Sequence, residues 1–253
     1  MGEHVAPTTP AKKKRSNIFW NIVGVVGELL ITFAIIVGLF SVWQLYWTTY
    51  QVSGQVSQTI ASYEEEHQPS KRTLGEVRTD DPPAFDREVG DGEVYGIVHV
   101  PTWDWMKIPL AEGTTSYVLD QGWAGHYDMT TQPGGVGNFS VAGHRRTYGN
   151  NFRWIDRLTQ GDKVVVEVDD RYLVYSMVSS EIIDATDPTQ MRVVAPVIDD
   201  ESWSEVPTER WMTMTTCHPE YGNWQRYIVH LKFESWTPKD TGVPAELVDE
   251  PTN

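Results

Sequence analysis

One cysteine, Cys217, in 253 residues leaves no intramolecular disulfide framework and no multi-cysteine metal site. Basic side chains are also scarce: 20 Lys and Arg stand against 35 Asp and Glu, a net charge of −15 with a pI near 4.8. A nucleic-acid binder would show a basic stripe, so no nucleic-acid partner is expected. No internal repeat is visible. What the chain has in quantity is aromatic surface. Eleven Trp and eleven Tyr, with 40% hydrophobic residues overall, exclude a merely disordered polypeptide. The length allows one or two domains and one substantial core.

A long apolar run opens the chain. Lys12, Lys13, Lys14 and Arg15 precede the stretch Ile18 to Trp47, in which Glu28 is the single charge, and the 19 residues from Leu29 to Trp47 carry none. A helix of about 20 such residues crosses about 30 Å of hydrocarbon. Trp20 on one flank and Trp43, Tyr46 and Trp47 on the other suit the two interfacial belts. A cleaved signal peptide would have an apolar region of only about 7–15 residues; a weak Val52-Ser53-Gly54 cleavage pattern lies beyond the run. The stretch therefore reads as a retained membrane anchor. The basic cluster keeps the amino end cytoplasmic and puts everything after about residue 48 outside. Glu28 sits near the inner interface or against a partner helix, since a mid-bilayer carboxylate costs about 2.5–3.5 kcal/mol.

The polar stretch that follows lacks apolar periodicity. Its last part, Glu64 to Glu93, holds ten acids against four bases and is broken by Pro69, Pro82 and Pro83. It reads as a stalk. The segment after Ser235, with Pro238, Pro244 and Pro251, reads as a flexible tail. The expected organisation is a cytoplasmic tail 1–17, an anchor 18–47, a stalk 48–92, a core-bearing domain 93–235 and a tail 236–253. Within the domain the texture is β. Glu93–Val100, Asn138–His144, Lys163–Val168, Tyr172–Ser180, Trp211–Cys217 and Gln225–Phe233 are β-branched or aromatic runs bounded by turn residues. Thr114–Gln121 and Phe152–Leu158 each suit a short helix, capped by Thr114 and Asn151. Six to eight short strands with one or two helical turns predict a mainly β fold, a closed or nearly closed barrel.

An unpaired thiol outside the membrane is a liability unless it is buried or used. Cys217 ends the run Trp211–Thr216 and is followed by His218-Pro219, which places it at a barrel rim, where function concentrates. A thiol nucleophile needs a base or cation in reach. Of the seven histidines, His4 and His67 lie in segments without a core. His99 and His230 sit inside strand patterns that suit satisfied core or surface roles. His218 points to the opposite face from Cys217 in an extended chain. His126 and His144 remain, and His144 ends an apolar strand beside the turn Arg145–Gly149, as Cys217 does. Arg226 opens the strand after Cys217. If the two strands pair, Arg226 returns to the level of Cys217, where it could stabilise an oxyanion; its spacing fits a surface ion pair equally well.

These residues carry a resemblance. Thr213-Met214-Thr215-Thr216-Cys217 resembles the Thr-Leu-x-Thr-Cys signature of sortases, the membrane-anchored cysteine transpeptidases of Gram-positive cell surfaces, with methionine for leucine. Ala142-Gly143-His144-Arg145 and Arg226 match the family's histidine and arginine contexts, in the family's order. Gly27-Glu28-Leu29-Leu30-Ile31-Thr32, Ala124-Gly125-His126-Tyr127, Ala142–Gly149, Thr216-Cys217-His218-Pro219 and Arg226–Val229 are most similar to class E, the actinobacterial branch. The resemblance implies an eight-stranded sortase-type barrel behind a single transmembrane helix, with Cys217 as nucleophile, His144 as general acid and base, and Arg226 as the oxyanion and substrate-carbonyl ligand. It implies a Leu-Ala-x-Thr-Gly sorting signal in place of the more general Leu-Pro-x-Thr-Gly, cut between Thr and Gly through a thioester. The partners it implies are sorting-signal-bearing surface proteins and, as amine, a lipid-linked peptidoglycan precursor or a pilin lysine. No cofactor and no metal are needed. Thr216, Tyr148 and His126 are further candidates for contact with substrate. Asp81-Pro82 reads as a turn in an acidic spacer, and no lid is expected.

Other classes fit less well. An L,D-transpeptidase would show Ser-x-Gly-Cys with arginine two residues on, and a papain-like or NlpC-type peptidase would place cysteine before histidine. The non-enzymatic alternative is a surface-displayed binding module with Cys217 buried.

Overall fold

The computed structural model describes residues 18–69 and 71–251, so the basic cluster Lys12–Arg15 lies outside the described residues. The chain forms two compact units that divide after Gln44. The first helix, α1, has the bounds Ile18–Glu66.

In the first unit, Phe19–Trp43 is a 25-residue stretch long and apolar enough to cross a bilayer, and its most apolar part is wholly unburied. Its hydroxyls are satisfied within the helix: Thr32 Oγ1 donates to the Glu28 carbonyl at 2.9 Å and Ser41 Oγ to that of Val37 at 2.9 Å. Back-bonding of this kind lets a hydroxyl enter a lipid-facing helix without an orphan donor.

The second unit begins with the lower part of α1, where an unstructured stalk was expected. No proline interrupts the chain between Gln51 and Glu66, and Val52, Val56, Ile60 and Tyr63 recur at helical spacing. That stripe faces the protein, with Val52 and Tyr63 buried and Val56 and Ile60 half-buried. Tyr63 donates to the Tyr95 carbonyl at 3.2 Å, and Gln55 Nε2 meets Gln121 Oε1 at 2.6 Å. Gly122 permits the contact: at φ +78° it adopts a left-handed turn, and a Cβ there would lie 2.7 Å from Val52 Cγ1. Residues 71–92 also pack down. Arg78 exchanges backbone bonds with Trp236, and Phe85 joins the main core.

Eight strands follow: β1 (Val94–Val100), β2 (Met106–Glu112), β3 (Ala124–His126), β4 (Gly137–Ala142), β5 (Lys163–Val168), β6 (Arg171–Asp184), β7 (Arg210–His218) and β8 (Gln225–Pro238). They close a barrel in the order β1-β2-β3-β4-β7-β8-β6-β5. The pairs β2–β3 and β4–β7 are parallel and the rest antiparallel. Side chains two apart fill the interior: Phe139 and Val141, Val164 and Val166, Leu173 and Tyr175, Met212 and Met214, Val229 and Leu231. That alternation is what makes a period-two run a barrel strand.

Two strands were not anticipated. β2 contains Pro109, which cannot donate to a ladder, and β3 has only three residues, too short to show alternation. The helices are shorter than expected, with α2 covering Ser116–Leu119 and a single 3₁₀ turn covering Ile155–Arg157. The residues before them are Thr115 and Trp154, and neither makes a side-chain cap bond.

The segment expected to be a flexible tail is instead structural. β8 extends to Pro238, and Val243 and Leu247, each 2% exposed, cover Val165, Tyr172 and Val174 on the outer face of β5 and β6. Those outward side chains are apolar and would be wet without the cover. Burying the two covering side chains is worth about 3–6 kcal/mol. Asp81 pairs with Arg210 Nη1 at 2.9 Å, at the opposite end of β7 from Cys217, roughly 23 Å along the strand. The Asp81-Pro82 segment is thus seated away from the thiol.

Candidate active site

β7 lies between β4 and β8, and the ends of these three strands bring the chemistry together. On one side the antiparallel register sets Cys217 directly opposite Arg226. On the other, β4 runs parallel to β7 with Ala142 level with Thr215. The pairing continues past the strand: Gly143 N donates to the Thr215 carbonyl at 3.1 Å, and Thr216 Oγ1 donates to the Gly143 carbonyl at 2.6 Å. His144 therefore emerges beside Cys217. Gly143 has to be glycine, because a Cβ would sit 2.8 Å from the Phe152 ring. Phe152 N in turn donates to the His144 carbonyl at 3.0 Å and closes the loop behind it.

The three groups have different surroundings. Cys217 is a free, half-buried thiol. His144 Nε2 is 2.8 Å from Asp120 Oδ1, with both side chains partly exposed. A carboxylate only accepts, so this contact assigns the ring proton to Nε2. The imidazole also lies 5.2 Å from the Tyr148 ring. Among the described residues no hydrogen bond joins the His144 ring to the Cys217 thiol. Arg226 Nη1 donates to the carbonyls of Asn223 at 2.7 Å and Gln225 at 2.9 Å. The rest of its fork has no partner among the described residues.

Nearby polar groups set the background charge. Tyr127 Oη bonds Thr215 Oγ1 at 2.9 Å, and burial holds its phenol above the ordinary range, as a neutral hydroxyl. His218, next to the thiol, is engaged elsewhere: Arg145 Nη1 donates to its Nδ1 at 2.9 Å, and Arg145 Nη2 bonds Asp156 at 2.8 Å. Burial and then the Arg145 charge lower the His218 pKa, so it is a neutral acceptor. A strand end with one thiol, one oriented imidazole and one partly free guanidinium supplies a nucleophile, a proton carrier and an anion ligand.

Two of the further candidates have other tasks. His126 is wholly buried, with Nδ1 on Glu112 at 2.9 Å and Nε2 within 3.0 Å of the Thr131 carbonyl and of Thr130 Oγ1. It braces the barrel interior and offers nothing to a groove. Thr216 is buried and spends its hydroxyl joining β7 to β4. Tyr148 does stand at the site, flanking His144 from a backbone with φ 47°. Asp120, Tyr127 and Arg145 were missed. Asp120 ends a short helix beside a Gln-Gly turn, and nothing in its local sequence names a partner 24 residues away. Among the described residues no group of three or more His, Cys, Asp or Glu is arranged to hold a metal.

Comparison with known proteins places this arrangement. The family described as Sortase domain matches residues 98–234. Sortase SrtE1 of Streptomyces coelicolor is 36% identical over 229 residues, which are 88% of this chain and 60% of that protein; the chain thus spans less than two thirds of that relative's length. Among solved structures, the SrtA sortase from Actinomyces oris is 43% identical with a TM-score of 0.64, over 70% of this chain and 99% of that one. Sortase E1 from Streptomyces coelicolor, solved with a tripeptide in its active site, is 37% identical with a TM-score of 0.55, over 63% and 99%. With the family matched over the barrel and a named sortase 36% identical over 88% of the chain, this chain belongs to the sortase family.

Proposed function

We propose that the protein is a membrane-tethered cysteine transpeptidase that cuts a Leu-Ala-x-Thr-Gly or Leu-Pro-x-Thr-Gly sorting signal between Thr and Gly and passes the threonyl carboxyl to an amine. The observation that carries this is the placement of Cys217 between Arg226 and His144 on three adjacent strand ends. Cys217 Sγ attacks the threonyl carbonyl while the Arg226 fork binds the developing oxyanion. Whichever of thiol and imidazole holds it at rest, their shared proton goes from His144 to the departing glycine amine as the C–N bond breaks. The product is a thioester and a free amino terminus. In the second half an incoming amine gives its proton to His144, attacks the thioester and releases Cys217. The thioester conserves the acyl-transfer energy, so the cycle needs no cofactor. The acceptor amine belongs to a lipid-linked peptidoglycan precursor. The amino end lies in the cytoplasm and the barrel outside, where an anchor in the same membrane raises the effective concentration of both substrates.

The test uses the full-length protein in detergent, incubated with each signal peptide and an amine and followed by intact mass. A threonyl adduct on Cys217 that hydroxylamine removes, with amine-ligated product, is the expected result. Absence of adduct from both peptides, with a thiol that resists alkylation, would leave a membrane-tethered binding module as the better account.

Asp120 gives a sharper check on His144. Asp120→Asn keeps the shape but loses the charge that selects the ring tautomer. Its kcat is expected to fall about 10- to 100-fold, part of what general acid–base catalysis contributes. KM for the signal peptide and the melting temperature should stay near parental. A kcat equal to the parent's would reduce Asp120 to a surface partner.

A further inference from the structure

Four arginines fall between residues 145 and 157 in a chain that is otherwise acidic. Two of them are compensated: Arg145 by Asp156 at 2.8 Å, and Arg146 by Glu220 of the β7–β8 loop. The other two are not. Arg153 and Arg157 both stack on Trp154, with guanidinium carbons 3.8 and 4.9 Å from the ring centre, and neither has a carboxylate partner among the described residues. Arg153 Nε is buried without any hydrogen-bond partner. Burial, then repulsion from Arg146 and Arg157, lowers the Arg153 pKa. Two like charges held against one indole ring, with no carboxylate partner among the described residues, are costly to the folded protein alone, and an anion seated there would relieve the cost. The cluster belongs to the loop that starts at His144 and is bonded back to it through Phe152 N.

We propose that Arg153 and Arg157, presented on Trp154, bind a doubly charged phosphate group carried by the amine-bearing acceptor. The inference rests on the transpeptidase reading and adds a recognition element for its second substrate. Two uncompensated guanidiniums match a group of charge about −2, whereas a carboxylate would neutralise only one. Planar forks accept phosphate oxygens in pairs. An acceptor attached to its lipid through a pyrophosphate linkage, which keeps one charge on each phosphorus, presents such an anion at a fixed distance from its amine.

The experiment compares two acceptors that carry the same peptide amine, one on a polyprenyl pyrophosphate and one free, using the full-length protein in detergent. In Arg153→Ala/Arg157→Ala the KM for the pyrophosphate-linked acceptor should rise about 10- to 100-fold, the loss expected for charge-assisted contacts. The KM for the free peptide should not follow it. The Lys/Lys double variant should recover part of the loss. Inorganic pyrophosphate should compete with the linked acceptor in the parent and lose that effect in the Ala/Ala variant. Thioester yield from the signal peptide reports whether each variant is folded. Equal losses for both acceptors, or no loss for the linked one, would overturn the proposal. If the parent forms no thioester, the transpeptidase reading fails on its own. Calorimetric titration with pyrophosphate then still decides the site: binding in the parent that vanishes in the double variant supports it, and equal heats in both refute it.

Discussion

Cys217→Ala is expected to abolish transpeptidation, by about 10⁴-fold or more, while the barrel melts within a few degrees of the parent. The two halves of this expectation have separate causes. On the transpeptidase reading, turnover depends on a covalent thioester carrier, which Arg226 and His144 cannot form. Stability does not depend on the thiol, because Cys217 is half-buried and bonds to nothing among the described residues. Removing one sulfur there forfeits about 1 kcal/mol or less. Peptide cleavage and a thermal melt on the same preparation check both halves. Substantial remaining amine ligation would sink the nucleophile assignment, and a collapsed melting temperature would mean that the thiol is a packing element.

The second large effect is expected far from the site. His99 is buried between two carboxylates, with Nε2 on Glu167 and Nδ1 on Glu250, each at 2.8 Å. Lys239 Nζ meets Glu167 at 2.7 Å, and Lys107 Nζ meets Glu250 at 3.1 Å and Glu64 of α1 at 2.6 Å. Desolvation works against the charges of His99, Glu167, Glu250 and Lys107, and their pairing overcomes it. The His99 pKa is raised, Glu250 is lowered, and Glu167 is drawn down to about 2. Glu167→Gln leaves Lys239 buried without its counter-charge and His99 with Glu250 alone, which costs about 3–5 kcal/mol. For a domain of this size that is a fall of roughly 6–20 °C in melting temperature. The signs of the pH dependence follow. The depressed carboxylates contribute stability above about pH 4.5, and it is lost as the pH falls from there toward 2. The raised His99 contributes fully below its unfolded pKa of about 6.5, and its share is lost as the pH rises through the elevated value. A melting series should thus show a maximum between these limits, and Glu167→Gln should flatten the acid limb. A variant that melts with the parent at every pH would show the network to be energetically idle.

These two regions differ in how far the sequence reveals them. Cys217, His144 and Arg226 are legible because each sits at the end of a run with clear alternation, next to turn residues, and strand ends converge at a barrel rim. The other six strands are legible for the same reason. β2 and β3 are not, since Pro109 and a three-residue length erase the pattern. The buried network is invisible because its members come from α1, four strand or loop positions and Glu250, each of which looks like an ordinary surface charge. His99 suits a satisfied core role, and it has one, but nothing local says that both its partners are carboxylates. The stalk and tail were misjudged on composition. Val52, Val56, Ile60 and Tyr63 do form a helical stripe, but it is thin among the Gln, Ser and Thr residues between them and is followed directly by Glu64–Glu66. Val243 and Leu247 acquire meaning only once the outer face of β5 and β6 exists to be covered. His126 was overvalued because a histidine at a strand end looks the same whether it faces a groove or a carboxylate inside the barrel.

The parallel pairing of β4 with β7 has a consequence for the protein before it is folded. His144 and Cys217 are separated by the whole of β5 and β6, and nothing local draws them together. Their meeting waits for the long loop between them to close. Until then the chain carries a solitary thiol of ordinary reactivity, with its arginine and its imidazole elsewhere. The unfolded polypeptide is therefore chemically quiet. On the transpeptidase reading proposed above, its chemistry begins only when the barrel shuts.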